Sequence, residues 1–273
     1  MRSPTSPTGC PAGAAPDLAG LIADLRALSL PPGDVLVHAS QRAVGRPTGG
    51  PATVLAALRD VLGADATIVV PVHTAGNSTS SASYHSATAG MSSAERACYE
   101  AAMPGFRLSD PSQGMGALAE HVRTRMGAVR SAHPQASFAA IGPRAGAYTR
   151  FHDLDCHLGE RSPLGALYRA GAGSLLLGVG YDRCTSLHLA EYRMTPARPR
   201  RAYRCFSDHD GRRVCHDFQA LHLDDSDFGR LGDDLEDQPF TVTGRFGAGV
   251  LRYTPIRPAV DFAVRWLTEN RRP

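Results

Sequence analysis

The chain of 273 residues contains no lysine, so all its strongly basic side chains are arginines. That bias reads as GC-rich coding rather than function, although arginine suits bidentate phosphate contacts. Neither the G-x-x-x-x-G-K-[ST] nor the G-x-G-x-x-G spacing occurs, which excludes a P-loop and a dinucleotide fingerprint. No apolar run approaches the ~20 residues needed to cross a bilayer, so a soluble protein without a membrane partner is expected. The first 16 residues lack an apolar signal core, being rich in Pro, Ser, Thr, Gly and Ala, and read as a disordered tail. The cysteines (Cys10, Cys98, Cys156, Cys184, Cys205, Cys215) form no C-x-x-C pair and read as reduced thiols of a cytoplasmic protein. No H-E-x-x-H or Cys/His ligand spacing accompanies the 11 histidines, so no metal is expected. A net charge of +3 is too small to imply nucleic-acid binding. No internal repeat is present.

The periodicities that remain describe an α/β chain. Helical spacing predicts helices over 17–30, 51–62, 112–126 and 259–269. Short apolar runs predict buried strands over 34–38, 67–73, 137–142, 174–180 and 249–253. The first two strands, with the helix between them, read as a βαβ unit. Residues 74–111 show no clear pattern; Asn77 to Ser93 reads as an active-site flap or a surface loop. Asp210-Gly211 marks a β-hairpin over 202–218. From Asp208 to Asp237 there are about ten carboxylates against three arginines, which is either a solvated face or a field that captures a cation. The expected architecture is one α/β domain over 17–273. It has a central mixed sheet flanked by helices, and an acidic hairpin insertion at about 202–240.

Besides the acidic stretch, three segments could carry chemistry. Thr185, His188 and Glu191 follow a buried strand at steps of three, a spacing that stacks them on one helical face. A carboxylate beside an imidazole fixes its tautomer and raises its basicity, although the same spacing describes a plain surface Glu–His pair. Cys184 is a conceivable nucleophile there, or a small buried residue at a strand–helix junction. His38, Ser40, Arg42, Val44 and Gly45 follow the first strand, and glycines then open a helix; this offers backbone N–H groups to a pyrophosphate, or is a polar turn. Arg130, Ser131, His133 and Ser137 either bind phosphate or adenine, or cap a loop.

Taken in order, five blocks resemble the aminoglycoside 3-N-acetyltransferase family. They are Gly33-Asp-Val-Leu-Val-His-Ala-Ser40 with Ala43-Val-Gly45; Pro111-Ser-x-x-Met-Gly-x-Leu-Ala-Glu120; Arg130-Ser-x-His-Pro-x-x-Ser-Phe-Ala-Ala140; Ser162-Pro-Leu-Gly-x-Leu-Tyr168; and Leu175-Leu-Leu-Gly-Val-Gly180 running into Thr185-Ser-Leu-His-Leu-Ala-Glu191. The resemblance implies acetyl-CoA as cosubstrate, an aminoglycoside as acceptor with its 3-amino group modified, and antibiotic resistance as outcome. It implies His188 as base, Glu191 as its orienting carboxylate and Thr185 beside the thioester carbonyl. Residues 38–45 with Arg130, His133, Ser137 and Phe138 would then contact CoA. Asp182, Asp208, Asp224 and Asp225 would hold the cationic acceptor, in a monomer or homodimer. The chain departs from the family pattern at Cys184, where Asn is usual, at Gly105-Phe-Arg107, where Phe-Asp-Pro is usual, and at His73. These departures leave open a biosynthetic amine as acceptor.

Overall fold

A computed structural model describes residues 15–271; the expected tail lies outside this range except for its last two residues. The strands alternate strictly in the faces they bury. Along β1 (Val35–Ala39), β2 (Ile68–Pro71), β4 (Phe138–Ile141) and β5 (Gly173–Leu177), one set of side chains (Leu36, Val69, Phe138, Ala140, Leu176) enters one core. Their neighbours Val35, Val37, Ile68, Val70, Ala139, Ile141, Leu175 and Leu177 enter a second core on the opposite face. A strand buried on both faces reads as a continuous apolar run, as these do in sequence. Helices cover each face. Leu21 and Leu25 of helix Leu18–Ala27, with Val54, Leu55 and Leu58 of Pro51–Leu62 and Leu118 and Val122 of Ala117–Arg123, pack on one side. Helices Pro163–Ala170, Phe228–Glu236 and Ile256–Asn270 pack on the other.

With the edge strands β3 (Val129–Arg130) and β8 (Val242–Phe246), and with β9 (Gly249–Pro255) between β5 and β8, the sheet has seven strands in the order β3-β4-β2-β1-β5-β9-β8. Pairs β1–β2 and β1–β5 are parallel and the others antiparallel, so the expected mixed sheet is present. Strands β6 (Arg200–His209) and β7 (Arg212–Leu221) form a separate two-stranded sheet. Asp210 and Gly211 at its turn have φ of 53° and 81°. Two consecutive positive φ values are what a type I′ hairpin turn requires.

Three expectations need correction. The helix expected over 112–126 begins only after Gly116, whose φ of 86° is left-handed and cannot continue a helix. The flap or surface loop expected over 77–93 is instead partly helical: Ala82–Ala87 lies within it, and Ser93–Ala102 starts at its end behind a Ser92/Glu95 capping box. Ser78 and Thr79 anchor the segment to the Arg204 carbonyl of β6. Finally, much of the acidic stretch is not insertion. Helix Phe228–Glu236 turns Phe228, Leu231 and Leu235 into the main core while its carboxylates face outward.

Candidate active site

The parallel strands β2, β1 and β5 end at one rim of the sheet, and the chain reaches β2 and β5 on opposite sides of β1. Such a switch in strand order opens a crevice beyond the strand carboxyl ends. A cavity of about 640 Å3 lies there. Its wall takes His38 and Ser40 from the end of β1, His73 from beyond β2, and Thr185 and His188 from the turns after β5.

His188 opens the single helical turn His188–Glu191, which brings the two side chains together. Its Nδ1 lies 2.6 Å from Glu191 Oε2. A carboxylate oxygen accepts, so Nδ1 carries the proton and Nε2 keeps its lone pair. Glu191 is only 1% exposed. Its Oε1 accepts from Arg271 Nη1 at 2.6 Å and from the Asp224 backbone N–H at 3.0 Å, so the buried carboxylate has an ion-pair partner. The Phe228 ring lies 4.9 Å from the His188 ring and restricts its rotation.

Burial, reinforced by nearby His188, pushes the His38 pKa down to about 3 and keeps this ring neutral. Its Nε2 sits 2.7 Å from Thr185 Oγ1 and 3.3 Å from the Thr185 backbone nitrogen. The Thr185 backbone N–H donates to Nε2, so Nε2 accepts, the ring proton sits on Nδ1, and Nδ1 has no protein partner. Gln41 Nε2 and His73 Nε2 are likewise unpaired, so three of the eight unpaired buried side-chain atoms among the described residues belong to this cavity wall. Buried polar groups are normally satisfied, and this concentration marks a place where a polar ligand completes the bonding. Asp182 and Asp225 add carboxylates to the wall. A second depression of about 400 Å3 adjoins it along the chain, lined among others by Asn77, Arg107, Gln113 and Asp208. Among the described residues no group of His, Cys, Asp or Glu is placed to hold a metal ion, and no helix is long and apolar enough to cross a membrane.

The profile of the family described as aminoglycoside 3-N-acetyltransferase matches residues 36–268. The chain belongs to the aminoglycoside 3-N-acetyltransferase family. It is 36% identical to aminoglycoside N(3)-acetyltransferase VII of Streptomyces paromomycinus, over 92% of this chain and 91% of the relative. The crystal structure of YokD from Bacillus subtilis superposes with a TM-score of 0.86 at 30% identity, covering 94% of this chain and 95% of that one. AAC-IIIb, solved as a binary complex with CoASH, superposes with a TM-score of 0.82 at 28% identity, over 95% and 100% of the two chains.

As an aminoglycoside 3-N-acetyltransferase family member, the chain distributes its expected site residues unevenly. His38, Ser40, Asp182, Thr185, His188 and Asp225 line the cavity, and Glu191 lies directly behind it. Arg42 is exposed outside the cavity lining, Val44 is fully buried in the core, and Gly45 packs against Ala248 and Pro16. Arg130, His133, Ser137 and Phe138 do not line the cavity, and their polar groups bond within the chain. The Arg130 guanidinium donates to the Val72, Leu108 and Asp110 carbonyls and to Ser137 Oγ. His133 accepts two backbone N–H bonds and faces the Leu154 carbonyl, Ser137 donates to Val72, and Phe138 is wholly core. These groups brace the chain beside His73. Asp208 is paired with Arg107 at 2.7 Å on the second depression, and Asp224 is turned towards Ser226 and Arg198.

Sequence reasoning missed Phe228 and Arg271, and covered Gln41 only as part of residues 38–45. Gln41 follows directly on Ser40, and position after a buried strand was the available signal. Cys184 is 1% exposed, its thiol pKa is raised by burial, and its sulfur sits 3.3 Å from Ser186 Oγ, an arrangement without thiolate character. Cys184→Ser is therefore expected to retain turnover, with no acetylated enzyme visible by intact-protein mass spectrometry.

Proposed function

We propose that this acetyltransferase moves the acetyl group of acetyl-CoA directly to the 3-amino group of an aminoglycoside, with His188 as general base and Glu191 as its orienting carboxylate. The observation that carries the reading is the 2.6 Å Nδ1–Oε2 contact at the wall of a cavity of about 640 Å3. An aminoglycoside amine arrives as an ammonium, which the exposed carboxylates Asp182 and Asp225 favour at the cavity edge. His188 Nε2 takes one proton from the ammonium, the N–C bond forms, the C–S bond breaks, and the second proton lost by the nitrogen passes to the departing thiolate. Glu191 stabilises the imidazolium that forms. The polar hydrogen left over on His38 Nδ1 is suited to the developing oxyanion. Support for the cosubstrate comes from the family's name and from the likeness to AAC-IIIb with CoASH.

Thiol release from acetyl-CoA, measured with kanamycin-, gentamicin- and neomycin-type acceptors, tests the reading, with NMR of the product locating the acetyl group. Acetylation of the 3-amine is expected. Modification of another amine overturns the position, and acceptance of none overturns the acceptor class.

A further inference from the structure

We infer that Arg271 is a positioning residue of this active site: it holds Glu191 against His188 and, through its own pairing with Asp227, sets how much negative charge the imidazole meets. The inference rests on the reading of His188 as the base. Arg271 follows directly on helix Ile256–Asn270, 80 positions from Glu191, and its side chain is 8% exposed. Its fork is fully engaged. Nη1 donates to Glu191 Oε1 at 2.6 Å, Nε to Asp227 Oδ2 at 2.8 Å, and Nη2 to Asp227 Oδ1 and the Asp224 carbonyl.

One carboxylate thus bridges the base and a guanidinium. With Oε1 pinned by Arg271 and the Asp224 N–H, the direction of Oε2 towards His188 is set. The same guanidinium lies 5.8 Å from the centre of the Phe228 ring, which in turn packs on His188. A lysine at 271 has no planar fork and cannot span Glu191 and Asp227 in this way.

The charges around His188 decide the sign of the effect. His38 from β1 and His73 from beyond β2 face it as neutral rings, each held down to about 3 by burial. Asp182, Arg183 and Asp225 stand at the cavity edge, exposed and screened by water. Behind the imidazole are two guanidiniums, Arg271 and Arg198, and three carboxylates, Glu191, Asp224 and Asp227. This group carries one net negative charge. Loss of Arg271 makes it more negative and favours the imidazolium; loss of the Asp227 charge does the opposite.

Arg271→Gln, Arg271→Lys and Asp227→Asn test this through two readouts on the full chain. The first is the acid limb of the pH profile of kcat/KM for thiol release. The second, which needs no substrate, is the pH at which the His188 ring takes up a proton, followed by NMR on 13C-histidine-labelled protein and assigned with His188→Gln. Arg271→Gln is expected to move both upward by roughly one pH unit, Arg271→Lys to move them upward by less, and Asp227→Asn to move them downward. A residue with a merely structural role lowers kcat without moving these midpoints in opposite directions. Unmoved midpoints, or shifts of the same sign in Arg271→Gln and Asp227→Asn, overturn the inference. Should Arg271→Gln not fold, Asp227→Asn decides: a downward shift supports the role, and no shift or an upward one refutes it. If the wild-type chain acetylates no aminoglycoside, the acceptor reading falls while the ring titration still decides the role of Arg271.

Discussion

Replacing His188 with alanine is expected to lower kcat for acetyl transfer by about 10²–10⁴-fold, the usual weight of a positioned proton acceptor. The loss should be that large because the cavity holds no substitute. His38 and His73 share its wall, but burial holds both near a pKa of 3, so neither captures a proton efficiently at neutral pH. The Cys184 thiol is pushed the other way, and Asp182 and Asp225 stand at the solvent-facing edge. His188 alone combines a free Nε2 with a carboxylate on Nδ1. Steady-state thiol release by His188→Ala and His188→Gln, with calorimetric CoASH binding as the control for folding, checks this. Near wild-type turnover in a folded variant would remove His188 from the mechanism.

Acid should unfold this protein earlier than its carboxylates alone dictate. His133 lies between His152 and His157, its ring tilted against each with centres 4.5 and 4.8 Å apart, and His157 continues onto Tyr203 of the hairpin at 4.6 Å. Burial first, and repulsion between neighbouring imidazoles second, depresses the pKa of each; His157 falls to about 3, as do His38 and His73, and His133 and His152 are also well below the ordinary value. Each ring is neutral in the folded chain and takes up a proton in the unfolded chain once the pH drops below about 6.5. The unfolded state then binds more protons, so stability falls with pH by about 1.4 kcal/mol per unit for each such histidine, down to the folded value. Five together approach ~7 kcal/mol per unit, against a typical total stability of ~5–15 kcal/mol. Asp34 and Glu120 have lowered pKa values, so the stability they add is present above the ordinary carboxylate range and is lost only below about pH 4. An unfolding midpoint near about pH 5 is therefore expected from the histidines. Thermal melts in steps from pH 8 to 4.5 would show it as a steep fall in Tm beginning near pH 6.5; a flat Tm down to pH 5 contradicts it.

The central strands were legible because burial on two faces leaves apolar runs such as Thr67-Ile-Val-Val and Ser174-Leu-Leu-Leu. The His188–Glu191 pair was legible because its contact is local, one turn long. Phe228 and Arg271 were not, since they reach the pair from 40 and 80 positions away and nothing near them in sequence signals it. Arg130, His133 and Ser137 were ambiguous for a related reason. A polar cluster ahead of a strand looks the same whether it faces a ligand or the chain's own carbonyls, and here Val72 and Leu154 accept. The capping box at Ser92 was readable and went unread, because Ser- and Ala-rich surroundings hide amphipathic period.

The hairpin β6–β7 does not join the main sheet; it touches the body through Ser78, Phe106 and the packing of Tyr203 and Phe218 on His157, and contributes Asp208 to the second depression. Those strands and the segment facing them can therefore change without altering the register that brings His38, Thr185 and His188 together. On the function proposed above, a change of acceptor and the upkeep of proton transfer would fall on different parts of one chain.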